Sequence, residues 1–80
     1  MTRVNVRAYA TLRKYLPDVS LGSAVTLELP NGATLGDLVR ELGIPETEVK
    51  VAFVNGLQRE DGCLLQDGDR VALFPPIAGG

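Results

Sequence analysis

The residues with the clearest chemical potential lie in the segment FPPIAGG, which closes the sequence. Pro75 and Pro76 have no backbone N–H to donate to a sheet, so we expect the last strand to stop near Phe74 and continue as an extended arm. Gly79 and Gly80 lack a β-carbon, and we expect Gly80 to carry a free carboxylate. Such an arm can enter a narrow slot in another protein, where its last carbonyl carbon is open to nucleophilic attack.

Side chains for catalysis or metal binding are scarce, because the sequence has no histidine and one cysteine, Cys63. A disulfide within the chain, a zinc site of the usual kinds and a histidine-dependent catalytic triad are therefore excluded. We expect the chain to bind no metal and no cofactor, and to be no enzyme on its own. For Cys63 a persulfide role is an alternative, but a small loop or core residue is the favoured interpretation.

The distribution of charged and apolar residues argues against nucleic acid and membrane as partners. Eight basic and ten acidic residues give a net charge of −2, and the basic residues form no concentrated patch of the kind that nucleic acid requires. No apolar run approaches the roughly 20 residues of a membrane-spanning helix. The first residues alternate and lack the apolar core of a signal peptide, so we expect a cytoplasmic protein.

Alternating hydrophobicity predicts the two best-defined strands at residues 3–9 and 70–74. The side chains expected to face the core from these strands are Val4, Val6, Ala8, Val71 and Leu73. A further alternating strand is predicted at residues 24–29. Residues 51–54 are apolar on both faces, which is typical of a largely covered strand. Asn55-Gly56 follows as a strong hairpin signal, with a short return strand starting at Leu57.

One good helix is predicted after Thr34, which forms a capping box with Asp37. Its apolar stripe has the spacing of one helical face and consists of Leu35, Leu38, Val39 and Leu42. Gly43 suits the position after the helix, and Pro45 prevents its continuation. A shorter helix is predicted over residues 10–16, after the first strand.

This order of elements predicts an α+β fold, because one helix can cover only one face of a four- or five-stranded sheet. With the first and last strands parallel at the centre, the mixed sheet is a β-grasp, like that of ubiquitin. We assign residues 1–74 to this domain and residues 75–80 to the extended Gly-Gly tail. Tyr9, Phe74 and Leu57 are expected on the open sheet face, where they suggest a docking patch.

The end of the sequence closely resembles the small subunits of molybdopterin synthase in the MoaD/ThiS family of ubiquitin-like sulfur carriers. The resemblance is carried by the Asp67-Gly68-Asp69 turn followed by Phe-Pro-Pro and Gly-Gly, and by Arg13, the run LPNGAT and Val54-Asn55-Gly56 earlier in the chain. It implies that a ubiquitin-activating-type enzyme adenylates Gly80 with ATP and Mg²⁺, and that sulfur then replaces AMP to give a thiocarboxylate.

The same resemblance implies that the charged arm enters the large subunit of molybdopterin synthase, in a heterotetramer, and donates sulfur to a pterin precursor during molybdenum cofactor biosynthesis. The implied catalytic group is the carboxylate of Gly80, next to Gly79. The implied partner-binding residues are Tyr9, Leu57, Phe74, Pro75, Pro76, Ile77 and Ala78. The alternatives are a sulfur carrier for thiamine thiazole synthesis, a ubiquitin-like modifier that forms isopeptides through Gly80, and a β-grasp interaction domain with an inert tail.

Overall fold

The computed structural model describes residues 1–16 and 24–76, and they form the predicted α+β fold. In chain order the elements are β1 (Thr2–Ala8), a 3₁₀ helix (Ala10–Tyr15), β2 (Val25–Leu29), α1 (Leu35–Glu41), a second 3₁₀ helix (Glu46–Glu48), β3 (Val51–Val54), β4 (Leu57–Arg59) and β5 (Arg70–Phe74). The predicted short helix after the first strand is therefore a 3₁₀ helix.

The five strands form one mixed sheet in the order β2-β1-β5-β3-β4. The first and last strands are parallel at its centre, as predicted, with Asn5 opposite Arg70 and Ala8 opposite Leu73. The other neighbouring strands pair antiparallel. Because this arrangement is a mixed sheet crossed by one main helix, the β-grasp prediction is confirmed.

The core lies between α1 and one face of the sheet. Its largest fully buried side chains come from the central strands, the first 3₁₀ helix and the main helix, and they are Leu12, Leu35, Leu38, Leu73, Val4 and Val6. Val39 is also buried, whereas Leu42 is half-buried at the edge of the core. The buried side chains of β1 and β5 and the apolar stripe of α1 thus pack in the same core, as the sequence pattern predicts.

Four hydrogen bonds hold the start of α1. The Asp37 N–H donates to Thr34 Oγ1 over 3.2 Å, and the Thr34 N–H donates to Asp37 Oδ2 over 3.0 Å, which completes the predicted capping box. The N–H groups of Leu35 and Gly36 donate to the carbonyl oxygens of Cys63 and Asp61, both over 2.9 Å. The first-turn donors, which a helix cannot pair internally, are therefore satisfied by the Thr34 side chain and by the loop that contains Asp61 and Cys63.

The turn after β3 connects the hairpin to the start of β5. Asn55 and Gly56 both have positive φ, 54° and 83°, as a two-residue primed turn requires. The Asn55 side chain donates to Asp69 Oδ1 over 2.9 Å and accepts from the Arg70 N–H over 2.9 Å. Asparagine tolerates the left-handed backbone and also supplies both hydrogen bonds, so its side chain fixes the β3–β4 hairpin against β5.

β3 is largely covered, as predicted, but its two faces are covered to different degrees. Ala52 and Val54 are buried beneath the helix layer, but Val51 and Phe53 are only half-buried on the opposite face. That face has no second layer among the described residues. The strand is apolar on its outer side because Val51 and Phe53 belong to a surface cluster, and hydrophobicity alone does not distinguish such a cluster from a core.

Replacing Leu38 with alanine should lower the free energy of unfolding by about 2–5 kcal/mol, because the side chain is fully buried and the cavity cannot close completely. Urea unfolding followed by circular dichroism measures the change. Leu57→Ala is the matched control, since this leucine is exposed, and it should cost less than about 0.5 kcal/mol. Equal losses in the two variants would contradict the assignment of Leu38 to the core.

The capping box should make stability depend on pH. The hydrogen bond from the Thr34 N–H, and then the Arg40 side chain, hold the pKa of Asp37 below its usual value. A lowered folded-state pKa stabilises the fold at pH values above the unfolded pKa, and this contribution disappears as the pH falls through the folded pKa. Between about pH 5 and pH 2, Asp37→Asn should therefore lose less stability than the parent chain in urea unfolding.

Glu41→Gln removes one negative charge from the same helix and so controls for a general charge effect. If Asp37→Asn follows the parent chain at every pH, the capping carboxylate does not contribute to stability.

Candidate functional site

Three aromatic rings form one cluster on the open face, the sheet face opposite α1. The rings of Tyr9 and Phe74 are stacked, with centroids 4.5 Å apart and planes inclined by 2°. Phe53 meets Phe74 edge to face, with centroids 5.7 Å apart and planes inclined by 83°. Tyr9 remains 39% exposed, and Phe53 and Phe74 are half-buried. The cluster is therefore an ordered apolar surface that solvent or a partner can reach.

The register of the central strands positions these rings. Phe74 is the last residue of β5 and lies opposite Val51, while Phe53 lies opposite Ala72 two positions away. Tyr9 follows β1, and its N–H donates to the carbonyl oxygen of Leu73 over 3.1 Å, which continues the parallel pairing by one step. Since side chains alternate between faces, all three rings project from the open face.

The arm begins at this cluster. β5 ends at Phe74, as predicted, and Pro75 and Pro76 follow without regular secondary structure. Pro75 is half-buried and lines a shallow groove whose other lining residues are Tyr9, Ala10, Lys50, Val51, Phe53, Gln58 and Phe74. Pro76 is exposed. The predicted tail residues Ile77, Ala78, Gly79 and Gly80 lie outside the described residues.

The structure does not place Leu57 with the other predicted docking residues. Leu57 pairs with Val54, and residues directly opposite each other in antiparallel strands project from the same face. Because Val54 is buried on the helix side, Leu57 also lies on that side, 58% exposed at the sheet edge. Gln58, opposite Phe53, takes the position on the open face instead.

Sequence reasoning therefore missed Phe53, Val51 and Gln58. The signal that could have found them was the Asn55-Gly56 turn, because a two-residue turn makes its flanking residues direct partners. Counting outward from the turn pairs Val54 with Leu57 and Phe53 with Gln58, so the faces follow from the hairpin alone.

The structure also bears on Cys63, on metal binding and on membrane insertion. Cys63 is half-buried in a loop and packs against the core, as the favoured interpretation predicts. Among residues 1–16 and 24–76, no three His, Cys, Asp or Glu side chains form a group that could hold a metal ion. Over the same ranges, no helix has the length and apolar character needed to cross a membrane.

Comparison with known proteins identifies the family. A family model described as Mut7-C ubiquitin matches residues 1–78, almost the whole chain. The chain belongs to the Mut7-C ubiquitin family. No curated relative matches this Mut7-C ubiquitin chain by sequence. The family agrees with the ubiquitin-like fold described above.

Solved structures confirm the fold of this Mut7-C ubiquitin chain and the predicted resemblance. A protein assigned as molybdopterin converting factor, subunit 1, from Pyrococcus furiosus is 28% identical with a TM-score of 0.74, covering 96% of this chain and all of that one. The Haloferax volcanii HVO 2177 protein is 29% identical with a TM-score of 0.74, covering 99% of this chain and 87% of that one.

Small archaeal modifier protein 1 of Haloferax volcanii is 21% identical with a TM-score of 0.71, covering 96% of this chain and all of that one. At this level of identity the match to the modifier protein shows the shared fold alone.

The stacked pair at the start of the arm should couple energetically. A double-mutant cycle with Tyr9→Leu and Phe74→Leu, measured by urea unfolding, should give a coupling free energy of about 0.5–1.5 kcal/mol. A control cycle joins Phe74→Leu with Leu57→Ala, whose side chains lie on opposite faces, and should be additive within about 0.5 kcal/mol. Coupling of equal size in both cycles would contradict the stacked geometry.

Proposed function

We propose that this chain is a sulfur carrier that acts as the small subunit of molybdopterin synthase. In this proposal the C-terminal carboxylate of Gly80 is adenylated, converted to a thiocarboxylate and inserted into a large subunit, where it donates sulfur to a pterin precursor. The described residues serve as a scaffold that presents the arm and docks the enzymes that act on it.

The observation that carries the proposal is the continuity between the aromatic cluster and the arm. Phe74 belongs to the cluster and directly precedes Pro75, which lines the adjoining groove. A protein that docks on the cluster is therefore already placed to receive residues 77–80. The similarity to a protein assigned as molybdopterin converting factor, subunit 1, supports the same function.

The chemistry explains the residue types at the end of the sequence. A carboxylate is a poor electrophile, so the activating enzyme joins it to the AMP moiety of ATP, with Mg²⁺, and releases pyrophosphate. A sulfur nucleophile then attacks the carbonyl carbon of Gly80, and AMP leaves. Pro75 and Pro76 limit the conformations of the arm before it enters a partner, which lowers the entropy lost on binding.

The proposed partners are an adenylating enzyme of the ubiquitin-activating type and a large subunit, two copies of which would form a heterotetramer with two copies of this chain. Tyr9 and Phe74 are the proposed anchors on the scaffold, and Phe53 joins them because its ring completes the cluster. Leu57 remains a predicted contact only for a partner that reaches around the β4 edge to the helix side of the sheet.

A ubiquitin-like modifier is the second candidate. The fold shared with small archaeal modifier protein 1 is compatible with it, and the chemistry is the same up to the adenylate. The routes then differ, since a modifier passes the Gly80 carbonyl to a lysine amine, whereas a carrier accepts sulfur. Sulfur donation to a thiamine thiazole precursor is a third use of the same thiocarboxylate.

Intact mass spectrometry tests the proposal. The full chain, incubated with its cognate activating enzyme, ATP, Mg²⁺ and a sulfur source, should gain the mass of one oxygen-to-sulfur exchange. Deletion of Gly80 should abolish the exchange while leaving the thermal midpoint nearly unchanged, because a chain end contributes little packing. Gly79→Ala should slow the exchange on the order of 10- to 100-fold, since a β-carbon displaces the arm in a narrow slot.

Gly62→Ala is the matched control, because a β-carbon at Gly62 meets no atom within 4 Å, and it should react like the parent chain. Lysine-linked conjugates in a cell extract, without thiocarboxylate, would instead establish the modifier. An unchanged mass with an enzyme that adenylates another carrier, together with no lysine-linked conjugates in the extract, would contradict both functions.

A further inference from the structure

Two arginines on the open face have no partner within the described part of the chain. Arg7 on β1 and Arg70 on β5 are exposed, and neither side chain makes a hydrogen bond or an ion pair with residues 1–16 or 24–76. Arg3, on the same face, differs because its guanidinium lies 3.5 Å from the carboxylate of Glu28. The charges of Arg7 and Arg70 are therefore available to a ligand.

The sheet places these two charges in one groove, which is distinct from the groove that Pro75 lines. Arg70 lies opposite Asn5, and Arg7 lies opposite Ala72, so the two arginines project from the same face of neighbouring strands. Both line a groove with Phe53 and Phe74, and its polar lining includes Asn5 and Asn55. An apolar wall and two cationic groups thus border a single depression beside the aromatic cluster.

The charge of this face is opposite to that of the whole chain. The strand residues that project from it include three arginines, Arg3, Arg7 and Arg70, and one acidic residue, Glu28. Two positive charges are therefore in excess on a chain whose net charge is −2. Such an asymmetry orients an approaching acidic surface toward the open face and repels it elsewhere.

We propose that the open face binds an acidic segment of a partner protein. Two carboxylates of the segment pair with Arg7 and Arg70, and a neighbouring apolar side chain packs on Phe53 and Phe74. Guanidinium groups suit this role because their planar fork accommodates a carboxylate with two parallel hydrogen bonds. If the partner is an enzyme that acts on the arm, the inference also rests on the proposed function.

A protein fits this groove better than a nucleic acid. Nucleic-acid platforms offer open ring faces for base stacking and a basic surface that follows the phosphates. Here Tyr9 and Phe74 stack on each other, and Phe53 meets Phe74 edge to face. Two arginines beside an apolar wall match a short acidic and apolar segment.

Titration of the ¹⁵N-labelled full chain tests the inference. The probe is a synthetic peptide that combines glutamates with a single phenylalanine, and the matched peptide has glutamine in place of every glutamate. The acidic peptide should shift the amide signals of Arg7, Ala72 and Phe74, and should bind more weakly as salt rises. Arg7→Glu and Arg70→Glu should each weaken binding by about threefold to tenfold.

Arg59→Glu is the matched control, because Arg59 is exposed and pairs with buried Ala52 on the other face. It makes the same change in net charge and should alter the affinity by less than about twofold. Arg7→Gln and Arg70→Gln, checked by circular dichroism, separate the loss of attraction from the introduction of repulsion.

Failure of the acidic peptide to bind, equal binding of the glutamine peptide, or equal weakening by Arg59→Glu would overturn the proposal. Tighter binding of an oligouridylate on the same signals would overturn it in favour of RNA. The adenylation assay is independent of this titration. Peptide binding by a chain that is never thiocarboxylated would support the docking site for an acidic segment and contradict the sulfur-carrier function.

Discussion

The open face exists because one seven-residue helix covers a five-stranded sheet from one side only. A sheet needs one buried face to be stable, and α1 provides it through residues such as Leu35 and Leu38. The other face is therefore free to carry side chains selected for interaction. The aromatic cluster and the two arginines lie on that face, and stability does not require them to be covered.

Much of the fold could be predicted from the sequence because its strands and helix have clean periods. Val4 and Val6 alternate with polar residues, and Thr34 with Asp37 marks the start of the helix, so their patterns alone place them. The predicted open-face position of Leu57 is wrong because a shift of one residue in a strand exchanges its two sides. The unequal covering of the two faces of β3 does not follow from the sequence, because a half-buried aromatic cluster and a core have the same hydrophobicity.

The candidate site could be predicted only in part, for a different physical reason. The sequence pattern predicts Tyr9 and Phe74 on the open face, but their stacking depends on the parallel register of β1 and β5. The shared groove of Arg7 and Arg70 also depends on that register, since the two residues are far apart in sequence. A pattern within one segment predicts which way a side chain points, whereas its neighbours depend on pairing between distant segments.

The position of β5 in the sheet has a consequence for folding during synthesis on the ribosome. β5 follows the other four strands of the sheet in the chain, yet it lies between β1 and β3 at the middle of the sheet. The Arg3 N–H and the Asp67 carboxylate beside this junction are 64 positions apart, so their loop must close before the sheet can be completed. A nascent chain that ends before residue 70 therefore lacks the strand that joins the β1–β2 pair to the β3–β4 pair, and the five-stranded sheet cannot form until β5 has been synthesised.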